Sequence, residues 1–112
     1  MTSVTVADEL LDDESLRAEL AAVCERWQLT ELALFGSAIR GQMGPDSDVD
    51  VLISFVEEAR PSLFDLNRIS QELEQVFDRP VDVVTRRGIE RGRNRARRDE
   101  ILSTARRICG AA

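Results

Sequence analysis

Apolar residues recur along this chain in two periods, and the switches between them predict its elements. From Asp13 to Gln28, Leu16, Leu20, Val23, Cys24 and Trp27 fall three or four apart on average, the spacing of one helical stripe. Asp12, Asp13 and Glu14 stand where acidic groups favour the positive end of that helix. Leu32 to Phe35 is an unbroken apolar run stopped by Gly36, which predicts a buried strand. Ser37 to Gln42 has room only for a short helix, and Gly44-Pro45-Asp46-Ser47 is turn chemistry. Asp48 to Phe55 alternates into the clearest strand of the chain.

Pro61 and Ser62 suit the first turn of a helix, which carries Leu63, Leu66, Ile69, Leu73, Val76 and Phe77 on one face. Arg79-Pro80 stops it, and the β-branched run Val81 to Thr85 predicts a third strand. Residues 88–108 are read as one Arg-rich helix with Ile89, Ala96, Ile101, Leu102, Ala105 and Ile108 inward. Met1 to Leu11 has no clear period and is read as a loose lead-in. The predicted order is α-β-α-β-α-β-α, an α/β (α+β) fold with a three-stranded sheet flanked by helices.

A chain of 112 residues supports one modest core, so residues 1–112 are taken as a single domain. Its net charge of −6 argues against a free-standing nucleic-acid binder. The charge is uneven, however: residues 1–85 hold 18 acids and 6 arginines, residues 86–112 hold 9 arginines and 3 acids. The run Arg91 to Arg98 is read as a solvated helix face, with nucleic-acid contact the less favoured alternative. All 15 cationic residues are Arg, and there is no His and no Tyr. That removes a Ser-His-Asp triad, a Lys Schiff base, a P-loop lysine and any His-containing metal site. Carboxylate, hydroxyl and guanidinium chemistry remains. Cys24 and Cys109 have no CxxC spacing and are read as buried or idle thiols. No apolar run approaches the ~20 residues of a membrane-crossing helix, and the expectation is a cytoplasmic protein without a membrane partner.

The chemistry concentrates in GSAIRGQMGPDSDVD, from Gly36 to Asp50. Side chains two apart on a strand share a side, so Asp48 and Asp50 project together while Val49, Val51 and Ile53 face away. Two carboxylates so placed repel unless a cation sits between them, and Mg²⁺ or Mn²⁺ is the natural occupant. The helix from Pro61 to Phe77 is long enough for a crossover, which makes the flanking strands parallel and brings Asp82 level with the pair. For Gly36-Ser37 to meet them, the first strand must run antiparallel to the second, giving a mixed sheet. Gly36 permits a tight turn, and Ser37 opens the short helix with free N–H groups that favour phosphate. A triphosphate on the loop and its metal on Asp48, Asp50 and Asp82 imply nucleotidyl transfer, with Asp82 orienting or deprotonating the acceptor hydroxyl.

Gly36, Ser37, Asp48, Asp50 and Asp82 match the GS-x10-DxD plus distant Asp pattern, so the chain resembles the DNA polymerase β-like nucleotidyltransferase superfamily. Over LALFGSAIRG, PDSDVDVLISF, ARPSLFDL and RPVDVVTRRG it is similar to the minimal nucleotidyltransferase (MNT, MntA-like) branch. The resemblance implies the nucleotidyltransferase fold, ATP as substrate, and an antitoxin that transfers AMP to a tyrosine of a HEPN-type toxin in a hetero-oligomer. It also implies that Arg40, within GSAIRG, contacts phosphate beside Gly36 and Ser37. The run RGRNRARR and the ending Arg-Arg-Ile-Cys-Gly-Ala-Ala depart from the apolar, aromatic end common in that branch. Three rival functions stand beside this one: adenylylation of a small hydroxylated molecule such as an aminoglycoside, a non-catalytic antitoxin acting by occlusion, and, more weakly, nucleic-acid end modification guided by the arginine tail.

Overall fold

A computed structural model describes residues 12–36 and 48–109 of the chain. Helix α1, Glu14–Arg26, opens where Asp13, one of the acidic residues expected at its positive end, accepts a hydrogen bond from the Leu16 N–H. Gln28, in a left-handed conformation (φ 57°), turns the chain into β1, Leu29–Phe35. Strand β2 is Val49–Phe55, and helix α2, Leu63–Phe77, follows it. Ser62 and Asp65 close a reciprocal capping box at the start of α2, and Asp78 ends it in the left-handed region. Strand β3 is Val81–Thr85.

The strands form one sheet in the order β3-β2-β1-β4, in which β4 is Arg106–Cys109. β1 and β2 run antiparallel, with Phe35 opposite Asp50, whereas β2 and β3 run parallel, with Asp50 opposite Asp82. The mixed sheet expected from the crossover helix is therefore present. Its fourth strand was not expected. Residues 88–108 are not one helix: α3 is Arg86–Arg91, α4 is Arg95–Thr104, and β4 completes the chain's described end.

The physical reason is local. Gly92 ends α3 in an extended conformation, and Asn94 starts α4 by accepting from the Arg97 N–H. The backbone turns extended at Ala105, and β4 pairs antiparallel along β1. The expected short helix at Ser37–Gln42, the turn Gly44–Ser47 and the Met1–Leu11 lead-in lie outside the described residues.

The sheet is covered on both faces, which explains why its central strands read as continuous apolar runs. On one face, Leu20, Val23 and Cys24 of α1 and Ile69 and Leu73 of α2 pack with Leu32, Leu34, Val49, Val51 and Ile53. On the other, Ile101 of α4 packs with Ala33, Phe35 and Leu52, and Ile89 of α3 and Val84 of β3 close in. A fully buried Leu or Ile in such a layer contributes about 2 kcal/mol. That burial fixes the register, because a slip of one residue would move Val49, Val51 and Ile53 to the wrong face.

Candidate active site

The aspartates sit where this register must leave them. Val49 and Val51 are buried under α1 and α2, so Asp50 between them points to the opposite face, shared with Phe35 and Leu52. Asp82 does the same on β3, since its neighbours Val81 and Val83 join the α1–α2 layer. Asp50 and Asp82 thus lie side by side across a parallel pair, on strands about 4.8 Å apart. Asp48 is exposed at the mouth of β2, one residue before its first member. The strand entry is held there by the bond from the Val49 N–H to the Pro80 carbonyl, 2.9 Å. α3 and α4 cover the Leu52–Val84 part of this face, so the aspartates occupy its remaining margin.

Gly36 follows β1 directly and has a φ of +70°, a region that costs an L-residue about 1–2 kcal/mol. A Cβ at this position would also collide with the Oδ2 atom of Asp50. Glycine is therefore favoured twice, for its backbone angle and for the space that the Asp50 carboxylate fills. Sequence spacing suggested a tight turn here but not that the carboxylate would occupy the glycine's vacant side. Ser37 and Arg40 lie outside the described residues.

The donor set is all carboxylate oxygen, which suits a hard cation such as Mg²⁺ or Mn²⁺ and disfavours soft metals. Among the described residues, no three acidic or thiol side chains converge tightly enough to hold an ion by themselves.

At the opposite end of the sheet lies a different electrostatic group, which the sequence reading missed. Arg86, at the start of α3, donates from Nε and Nη2 to both oxygens of Glu31 at 2.9 Å, and Ser54 donates to the same carboxylate at 3.1 Å. The Arg86 guanidinium holds the Glu31 carboxyl below its usual range, and Glu31 in turn raises Arg86. A cavity of about 250 Å³ borders this group, between Ser54, Thr85, Arg86 and Glu90. With its fork engaged by Glu31, Arg86 serves to join strands rather than to bind phosphate. The only sequence signal was an acid and an arginine separated by 55 positions, which no local pattern connects.

The nucleotidyltransferase domain family matches this chain over residues 16–108. Protein adenylyltransferase MntA of Thermococcus cleftensis is 35% identical over 77 residues, covering 69% of this chain and 76% of that protein. A crystal structure of a toxin-antitoxin with AMP-PNP superposes with a TM-score of 0.66 at 18% identity, over 85% of this chain and 73% of that one. The structure of a tri-AMPylated Shewanella oneidensis HEPN toxin in complex with MNT antitoxin gives 0.59 at 15% identity, over 88% and 72%. At those identities the two structures speak for the fold. Among the described residues no helix is long and apolar enough to cross a membrane. The domain match over most of the chain and the MntA relative lead to one conclusion: the chain belongs to the nucleotidyltransferase domain family, as a minimal, MntA-like nucleotidyltransferase.

Proposed function

We propose that this protein is an antitoxin that transfers AMP from ATP to a tyrosine hydroxyl of a HEPN-type toxin, with Mg²⁺ and release of pyrophosphate. The observation that carries the proposal is the juxtaposition at one sheet margin of Gly36, Asp50 and Asp82, with Asp48 at the strand mouth. The MntA relative is a protein adenylyltransferase, and the fold neighbours include a toxin-antitoxin with AMP-PNP and an AMPylated HEPN toxin with its MNT antitoxin.

Asp48 and Asp50 would hold the cation, with Asp82 beside Asp50 on the neighbouring strand. When bound, the cation neutralises the negative charge that builds on the triphosphate oxygens. Gly36 and Ser37 hold the triphosphate through backbone N–H groups, with Arg40 as a further phosphate contact. Asp82 accepts the proton of the acceptor hydroxyl as that oxygen attacks the α-phosphorus, and the pyrophosphate oxygen leaves on the opposite side. Among the described residues β3 is an edge strand, so Asp82 lies on the outermost strand described, where a protein side chain can be presented to it.

The test is direct. Incubation of the protein with α-labelled ATP, Mg²⁺ and a HEPN-type ribonuclease labels the ribonuclease on tyrosine. The chain has no tyrosine of its own, so tyrosine-linked label can only be on the partner. The double variant Asp48→Asn with Asp50→Asn lowers labelling by at least about 10³-fold. Label found only on an aminoglycoside would replace this reading with small-molecule adenylylation. Undiminished protection by the double variant at equal expression would replace it with occlusion.

A further inference from the structure

The chain's two cysteines, 85 positions apart, meet in the fold. Cys24 faces inward from α1 and is buried, whereas Cys109, on β4 across from Leu32 of β1, is half-buried. Both are free thiols, and their sulfurs lie 2.8 Å apart. That is within about 1 Å of the ~2.05 Å length of a covalent S–S bond. A groove of about 380 Å³ runs between α1 and β4, lined by Glu14, Arg17, Ala18, Ala21, Ile108 and Cys109. The small side chains of Ala18 and Ala21 leave Cys109 reachable from solvent, while Cys24 lies beneath it.

We propose that Cys24 and Cys109 form a reversible redox site, in which a low-molecular-weight disulfide entering the α1–β4 groove oxidises the pair to an intramolecular disulfide. The Cys109 thiolate attacks one sulfur of the small disulfide, whose S–S bond breaks and releases one small thiol. The remaining half stays in the groove as a mixed disulfide on Cys109. Cys24 then gives up its proton, its sulfur attacks the Cys109 sulfur, and the second small thiol leaves with that proton. Two cysteine thiols are oxidised and one small disulfide is reduced to two thiols.

The order of attack follows from the surroundings of each sulfur. The contact between the two sulfurs and the nearby Arg107 guanidinium hold Cys109 below the usual thiol range. The same contact, together with burial, pushes Cys24 upward, and Cys109 rather than Cys24 borders the groove. Oxidation would close a loop spanning most of the chain and join the last strand to the first described helix. Cross-links of that span raise the thermal midpoint of a domain this size by roughly 10 °C.

The experiment uses the full chain and oxidised glutathione as the probe, with thiol titration under denaturing conditions, intact mass and thermal unfolding as readouts. The wild type is expected to lose both titratable thiols without gaining a glutathione mass, to stay monomeric in non-reducing electrophoresis, and to unfold at higher temperature until dithiothreitol reverses the change. Cys24→Ser is expected to stop at a glutathione adduct on Cys109, and Cys109→Ser to react far more slowly. Two thiols surviving in the wild type, a lasting glutathione adduct on it, or a disulfide between two copies of the chain would each overturn the proposal.

Discussion

At the scale of single residues, Gly36 is the most constrained position described. Its left-handed φ and the Asp50 carboxylate against its open side both disfavour a side chain there. Gly36→Ala is expected to lower nucleotidyl transfer by about 10²-fold, because the added methyl displaces a carboxylate whose position matters to within about 1 Å. It also costs about 1–2 kcal/mol of stability through the backbone angle. Transfer rate and thermal midpoint measured on one preparation check both parts. A loss of stability with an unchanged rate would show that Asp50 need not stay where it is. Part of this site was legible in the sequence: the spacing of Gly36, Asp48 and Asp50 predicted a turn facing a carboxylate pair. The contact itself was not, since it depends on Phe35 standing opposite Asp50 in the β1–β2 pairing.

At the scale of elements, α2 shows what sequence can specify locally. Ser62 accepts from the Asp65 N–H at 3.1 Å and Asp65 accepts from the Ser62 N–H at 2.8 Å, so both ends of the capping box lie within four consecutive residues. Ser62→Ala removes one of those bonds and is expected to cost about 1 kcal/mol, a fall of about 5 °C in thermal midpoint. Calorimetry of the variant measures it. The apolar face of α2 and the β-branched runs of β2 and β3 were equally plain, because each repeats its period several times. The C-terminal segment was not. Between Arg86 and Arg98 apolar residues are too sparse to reveal a period, and helix-forming arginines mask the break at Gly92. β4 was hidden because four residues carry no periodicity of their own and become a strand only beside β1. The meeting of Cys24 with Cys109 was hidden for the same reason.

At the scale of the whole molecule, one ionic group pins three strands at the end away from the aspartates. Glu31 belongs to β1, Ser54 to β2, and Arg86 follows β3 directly, so their shared hydrogen bonds hold all three strands in step. The Glu31 carboxyl is held below its ordinary value of 4.5, so the folded state favours its charged form. The stability it adds is therefore present above about pH 4.5 and is lost as pH falls through the lower folded value. Glu31→Gln is expected to destabilise the protein by about 1 kcal/mol at neutral pH, a modest figure because both partners keep some solvent contact. The gap from wild type should close as the pH is lowered below about 4.5. Urea unfolding of both proteins across pH 3 to 7 tests this, and a gap that persists at the acid end would assign the effect to packing instead of charge.

The position of β4 in the sheet has a consequence in time. Among the described residues, every strand that bears an aspartate is complete by Thr85, whereas the outer edge of β1 pairs with residues 106–109. A nascent chain leaving the ribosome therefore possesses Gly36, Asp48, Asp50 and Asp82 before the segment that seals β1 has been translated. Residues up to Thr85 thus carry the candidate site, and residues 106–109 close a hydrogen-bonding rim on which a half-made sheet would otherwise recruit another chain.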